Sequence, residues 1–363
     1  MQNLHDSNVA YMKPISMQDL AKACGVSKNT VSQALRNSPQ ISEAMRRKIA
    51  ETAKRMGYQK NAVVAELMAR LHAGGTRRFQ CTLALINANR DKMAFKRHPT
   101  IPLYVQGCRE RATELGYKLD EFWIHEPDLS GERLCQIFRG RGIPGGILVG
   151  LMDENRLPES FQPVAREFPV VVTGVRTREP SLSFACVDHH MVALRAFEKV
   201  LELGYKRPGL VLDAKIDALV EHRFSAGYEV GQRHLPATQR LKPFSQVSEA
   251  RADKSLFHLW LKQERPDAIF SLYHEIGDWV EKNGLRVPED VLMVQYEWRS
   301  GSPHWPGMNQ HNELAGQAAV DMVIGMLHRS EKGPPPFPQA TLIDPAWTAI
   351  KSAKSTEAIT TVS

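Results

Sequence analysis

Three residues inside one short window, Lys28, Asn29 and Gln33, carry side chains able to hydrogen-bond the edges of base pairs in a DNA major groove. Taken singly, each is as well explained as a solvated residue on a helix. Their chemistry becomes specific only if one helix projects all three away from Val31, Ala34 and Leu35, and the flanking sequence supplies that helix. Ser16 and Asp19 have the spacing of a capping box, which starts a helix near Met17 with Leu20, Ala21 and Cys24 on one apolar face. Gly25 ends it, because a left-handed backbone position is cheap only for glycine, and Ser27 then caps a second helix. A third helix, capped by Ser42, brings Met45, Ile49, Ala53 and Met56 over the first two at helical spacing. Two helices joined by such a turn form a helix-turn-helix.

Charge separates this reading from that of an ordinary small helical bundle. Between Lys13 and Lys60 there are ten lysines and arginines against three acids, a local charge of +7. The whole chain, with 47 basic and 40 acidic residues, is also +7, so the remainder is neutral. Basicity confined to one segment points to a phosphate-binding head on a neutral body.

The string D-L-A-x-x-x-G-V-S-x-x-T-V-S from Asp19 to Ser32 resembles the LacI/GalR family of bacterial transcription regulators. It fixes the turn glycine, the cap serine and the buried valines together. The resemblance implies that Lys28, Asn29 and Gln33 read bases, that Thr30 belongs to the DNA-binding set, and that Arg36 and Asn37 contact phosphates. It further implies that the segment after Gly57, which Asn61 caps and Gly74-Gly75 stops, is a hinge helix whose Leu67 wedges into the minor groove. Lys60 stands where the family usually has proline and Ala65 where arginine is common, so Met68 is a second candidate for the wedge.

Beyond Arg78 the pattern changes to short apolar runs alternating with helix-length segments. Cys81–Asn87, Tyr117–Ile124, Gly146–Gly150, Pro169–Thr173, Gly209–Asp213, Ala268–Leu272 and Val291–Gln295 read as strands, and Leu103–Leu115, Arg133–Phe138, Val192–Leu203, Phe224–Gln232 and Trp279–Lys282 as helices. Such alternation indicates parallel sheets covered on both faces. Two open α/β lobes in tandem leave a cleft between them for a small ligand. The expected fold is an all-α helix-turn-helix DNA-binding head plus an α/β two-lobed body with parallel sheets. The phrases Gly204–Pro208, Gly284–Asp290 and Gly316–Ala319 also resemble family landmarks, which makes the body similar to a periplasmic binding protein. That implies lobe crossings near Asp188, Gln310 and Leu342. The expected division is therefore 15–60 for the head, 61–78 for hinge helix and linker, 79–187 with 311–341 for the first lobe, 188–310 with 342–350 for the second, and 351–363 for a frayed tail. Gly333–Pro338 reads as a stiff connector into a last strand at Thr341–Asp344, with a polyproline ligand as the alternative.

Catalytic signatures do not stand out. Gly140-x-Gly142-x-x-Gly145 matches a dinucleotide fingerprint by letter, but it follows a helix and precedes a strand, the reverse of what phosphate binding needs. No Walker loop, G-x-S-x-G elbow or H-E-x-x-H occurs. Asp188-His189-His190 lacks a partner cluster for a metal, and a crossing-point aspartate is the better reading. The five cysteines include no C-x-x-C pair and point to a reducing interior. No apolar run approaches the roughly 18 residues needed to span a bilayer, so the expectation is a cytoplasmic protein without membrane contact. No catalytic residue, metal or cofactor is expected.

For the cleft, the resemblance implies a ligand-clamping arginine and an acidic residue that takes ligand hydroxyls. Arg223 fits the first, one residue farther from Gly227 than the family has it, and Glu297 fits the second where aspartate is usual. Asp188 joins them at a lobe crossing. Ser271–Glu275 replaces an expected Asn-Asp pair, and Trp123, Tyr273 and Trp298 are candidates to stack on a sugar ring. The function implied is a DNA-binding transcriptional regulator, a repressor acting as a homodimer on a roughly palindromic operator of double-stranded DNA, its affinity set by a small sugar-like effector. A carbohydrate-binding or sugar-processing enzyme and a ligand-independent DNA-binding protein are the alternatives.

Overall fold

Gly25 turns the chain in the left-handed region, at φ 69°, between two short helices. In the computed structural model, which describes residues 17–35, 40–56, 79–151, 154–299 and 305–349, these are α1 (Met17–Cys24) and α2 (Lys28–Ala34). Ser27 caps α2, its hydroxyl accepting from the Thr30 amide at 3.0 Å. The third helix, α3 (Glu43–Met56), lays Ile49 and Ala53 on Leu20, Ala21, Cys24, Val31 and Ala34, with Met45, Met56 and Leu35 at the margin. The predicted mini-core is thus assembled from the predicted positions. Ser16, the expected cap of α1, lies outside the described residues.

The chain divides into two units, Met1–Arg78 and Phe79–Ser363. The second contains two sheets. The first has six strands in the order β10-β5-β4-β3-β1-β2, where β1 is Thr82–Asn87, β2 Lys118–Trp123, β3 Gly146–Val149, β4 Val170–Thr173, β5 Phe184–Val187 and β10 Ala340–Ile343. All its pairings are parallel. The second has five strands in the order β11-β9-β8-β7-β6, where β6 is Pro208–Val211, β7 Ala268–Ser271, β8 Leu292–Gln295, β9 Gly307–Asn309 and β11 Ala346–Thr348. Here β11 alone runs antiparallel. β1, β3 to β5 and β6 to β8 are buried nearly throughout, which is why their sequences are unbroken apolar runs rather than alternating ones.

The chain passes between the sheets three times. After β5, Asp188 caps helix His189–Glu202, which begins earlier than its apolar periodicity indicated because the aspartate accepts from the amides of His190 and Met191. After β9, helix Asn312–His328 returns to the first sheet. The third passage falls at Asp344 and Pro345 rather than near Leu342, because Leu342 still pairs with Cys186 in the first sheet. Arg195 holds this passage, with Nη1 on the Pro345 carbonyl at 3.2 Å and Nη2 on Asp344 at 2.8 Å. Thr341–Asp344 is also not the last strand, since β11 follows and pairs with β9.

Helices Ile101–Glu114 and Asn312–His328 cross so closely that a methyl group on Gly107 would sit 1.8 Å from the carbonyl oxygen of Glu313, and one on Gly316 would sit 2.2 Å from that of Tyr104. Neither carbonyl belongs to a flexible side chain. Gly107→Ala is therefore expected to destabilise the body by about 3 kcal/mol. Gly140, in helix Gly131–Arg141, has open space where its methyl would go, and Gly140→Ala is expected to be neutral or to stabilise by up to about 1 kcal/mol. Urea midpoints of the two variants that moved together would show that the helix crossing imposes no such constraint.

Candidate functional site

The base-reading candidates belong to α2. Lys28 and Asn29 open that helix and Gln33 lies in its last turn, half-buried. Thr30 is partly committed, because its hydroxyl lies 2.8 Å from that of Ser27. Lys48, Lys54 and Arg55 are exposed on α3. Arg36, Asn37, Leu67 and Met68 lie outside the described residues.

The body holds a cleft of about 470 Å³ between its two sheets. The first lobe contributes His98, Thr100, Tyr104, Leu151, Thr173 and Val175, and the second contributes Ile216, Leu219, Val220, Phe224, Tyr273, His274, Glu297 and Arg299. Of the three aromatic candidates only Tyr273 lines this space. Trp123 instead donates from Nε1 to the Asn89 carbonyl at 2.8 Å, and the backbone of Trp298 is bonded to Met308.

Glu297 is the centre of a polar knot. One carboxylate oxygen accepts from Thr100 Oγ1 at 3.1 Å and from Arg299, and the other accepts from Asn312 Nδ2 at 3.0 Å. Arg299 Nη2 also donates to Thr100 Oγ1 at 2.9 Å. Glu297 and Arg299 follow β8 in the second lobe, whereas Thr100 and Asn312 begin the two crossing helices of the first. The knot therefore ties the lobes together. A second tie uses other residues: Asn155 Nδ2 donates at 2.7 Å to the carbonyls of both Arg176 and Leu219, and Arg176 and Arg178 approach Glu221 at 3.5 and 3.7 Å.

Asp188 and Arg223, predicted to share the site, do meet. Arg223 Nη2 lies 2.6 Å from Asp188 Oδ1, and both are mostly buried beside the cleft residues His189 and Phe224. Arg223 opens its helix because Glu221 and His222 both take left-handed φ, at 57° and 59°, an unfavourable pair held by Asp217, which bonds the His222 ring and the Ser225 amide. Burial alone would push the Asp188 carboxyl up, yet the hydrogen bond from Arg223 and those from the Met191 and His190 amides outweigh it and hold the group below its usual 3.8. Burial, reinforced by Arg223, pushes the His189 imidazole down to about 3. His98 and His274 are likewise pushed down, first by burial and then, against Glu297, by Arg299. The cleft thus presents neutral imidazoles.

The sequence reading missed Thr100, Arg299 and Asn312. Arg299 lies two residues past Glu297 and could have been sought there, whereas Thr100 and Asn312 carry no local signal. Among the described residues no group of His, Cys, Asp and Glu could hold a metal, and no helix is long and apolar enough to cross a membrane. Gly142 caps its helix at φ 66° ahead of β3, so the glycine triplet is the helix-to-strand turn expected.

Comparison with known proteins finds a match for each of the two units. Residues 16–61 match the family model of bacterial regulatory proteins of the lacI family, and residues 197–350 match that of the periplasmic binding protein-like domain. The chain is 23% identical over 282 residues to the HTH-type transcriptional regulator MalR of Streptococcus pneumoniae, covering 76% of this chain and 82% of that one. A solved complex of the transcriptional regulator CelR with cellobiose shares the fold at a TM-score of 0.56 and 20% identity, over 93% of this chain and 100% of that one. The Lac repressor dimer bound to operator and the anti-inducer ONPF does so at a TM-score of 0.51 and 19% identity, over 93% and 99%.

Because Asp188 titrates lower in the folded chain than in the unfolded one, it contributes stability that is fully present above about pH 4 and is lost as pH falls through its folded value. Asp188→Asn is expected to lower stability at neutral pH and to flatten the acid side of the stability profile. An acid limb of unchanged steepness in denaturation at stepped pH would show that the Arg223 pair contributes nothing to it.

Proposed function

We propose that this chain, which belongs to the LacI/GalR family of bacterial transcription regulators, is a cytoplasmic repressor that binds a roughly palindromic operator as a homodimer and is controlled by a small sugar-like effector held in the cleft. The observation that carries this reading is the pairing of a basic head, built as a capped helix-turn-helix, with a neutral two-lobed body whose cleft is lined from both lobes. A single recognition helix covers half a site, so two-fold symmetric protein fits two-fold symmetric DNA. Lys28, Asn29 and Gln33 read bases, and Thr30, Arg36 and Asn37 support the backbone contacts. Asp188, Arg223 and Glu297 are taken as the effector-side residues: Glu297 lines the cleft, and the Asp188–Arg223 pair lies behind the lining, next in sequence to the cleft residues His189 and Phe224. Effector control requires only that the ligand bind the DNA-competent and DNA-incompetent states with different affinity, typically by about 1–3 kcal/mol.

Gel shifts on DNA upstream of the chain's own and neighbouring genes, with and without candidate sugars, test the reading. A strictly monomeric protein that still bound operator with full affinity would sink the dimer. Gln33→Ala is expected to cost about 1–3 kcal/mol of operator affinity and to relax preference at one position. Arg36→Ala should weaken all sequences alike and reduce the salt dependence. Equal changes in sequence preference from the two substitutions would show the roles to be misassigned.

Leu67→Ala is expected to weaken operator binding while leaving dimerisation and effector binding intact, because a minor-groove wedge acts only when DNA is present. Loss confined to Met68→Ala would move the wedge by one position.

A further inference from the structure

The cleft has two chemically different ends. Ile216, Leu219, Val220 and Phe224 form an apolar wall, while His98, Thr100, His274, Glu297 and Arg299 gather at the other end. There, His98 Nδ1 lies 3.1 Å from the Thr100 amide and 3.3 Å from the Ile101 amide. Amides only donate, so Nδ1 is an acceptor and the ring proton resides on Nε2. Glu297 already accepts from Thr100, Arg299 and Asn312, and Glu275, the other carboxylate in the lining, already accepts from Arg251 at 2.8 Å. Arg299 spends Nη2 on Thr100 and Glu297, and its Nε–H is buried with no hydrogen-bond partner among the described residues. A buried charged donor left unpaired is costly, and native sites supply such donors with an acceptor.

We propose that the effector carries a carboxylate, received by Arg299 together with the ring N–H of His98, and that Glu297 is a positioning residue that holds Arg299 rather than the acceptor of ligand hydroxyls. The proposal rests on the cleft being the effector site. A carboxylate offers acceptors only, matching the ring N–H of His98 and the one Arg299 donor that has no acceptor, whereas a hydroxyl in the same place brings a proton of its own to a carboxylate already engaged three times. The ring or chain that bears the carboxylate lies against the apolar wall.

Calorimetric titration of the full-length chain tests this with two sugar acids, glucuronate and galacturonate, two aromatic acids, benzoate and phenylacetate, and two neutral sugars, glucose and cellobiose. At least one acid is expected to bind tenfold or more tightly than either neutral sugar, and whether it is a sugar acid or an aromatic acid identifies the body. Arg299→Met should weaken that acid about 10- to 100-fold. Arg299→Lys keeps a charge opposite Glu297 but lacks the Nε donor, and should lose affinity in the same way if the methionine variant fails to fold. Glu297→Gln should weaken the acid in the wild-type background and have little further effect beside Arg299→Met, whereas a merely structural role would add in full. Neutral sugars binding as tightly as the acids, no acid binding, or acid binding indifferent to Arg299 would overturn the carboxylate. Ile216→Trp separates the two levels of failure. It should abolish binding of every ligand, and a ligand that bound it normally would overturn the cleft itself as the effector site.

Discussion

A carboxylate taken out of water must be paired and hydrogen-bonded, and the body is arranged so that part of the bonding of Glu297 comes from the lobe to which it does not belong. Its side chain retains only 10% of its exposure, and such burial is tolerable only with an opposite charge and hydrogen bonds in place. Arg299 supplies the charge from the same loop. Thr100, just ahead of one helix, and Asn312, the first residue of another, supply bonds, and those helices can stand side by side only because Gly107 and Gly316 let their backbones touch. A missing methyl group in the core of the first lobe thus positions a hydrogen bond between the lobes. The strength of the arrangement is also its vulnerability, since removing any partner leaves a buried charge short of bonds.

Asp188 and Arg223 obey the same rule under different local control. Asp188 serves the fold first, capping the helix that begins the second lobe, and its remaining capacity takes the guanidinium. Two consecutive left-handed residues, Glu221 and His222, deliver Arg223 to it, and neither is a glycine. That unusual turn sets where the helix Arg223–Gln232 begins, and so places Arg223 in its first position. Glu221, meanwhile, faces the arginines of the second tie between the lobes.

The sequence was most legible where structure is local. The Ser27 cap, the turn glycine and the apolar spacing of the head correspond to its three helices over the described residues, because each signal acts within one helical turn. The buried strands of both lobes were legible as apolar runs for the same reason. Legibility failed at β11 and at the end of β10, short edge strands whose pairing depends on partners far along the chain. It failed again in the cleft. Glu297 could be named from its setting after a strand, but Thr100 is 197 residues away from it, and nothing in the composition around Thr100 announces a contact between the lobes. Trp123 and Trp298 failed in the opposite sense, as aromatic residues whose chemistry suited a sugar but whose backbone positions lead elsewhere.

The two ties between the lobes constrain how any ligand in the cleft can act. With the lobes already joined through Thr100, Asn312 and Asn155, a ligand gains little by bringing together what the protein holds together unaided. Its effect on the equilibrium between states equals only its difference in affinity for them, so uniform contacts with the apolar wall contribute affinity and no control. Control must come from groups whose partners change when the lobes move. Arg299 is such a group, because it bonds a residue of each lobe and still has a donor to give. Parting the lobes would strip it of Thr100. On the proposed carboxylate reading, the residue that would discriminate between ligands is also the one that bonds across the lobes, so ligand identity and lobe arrangement would act on the same guanidinium.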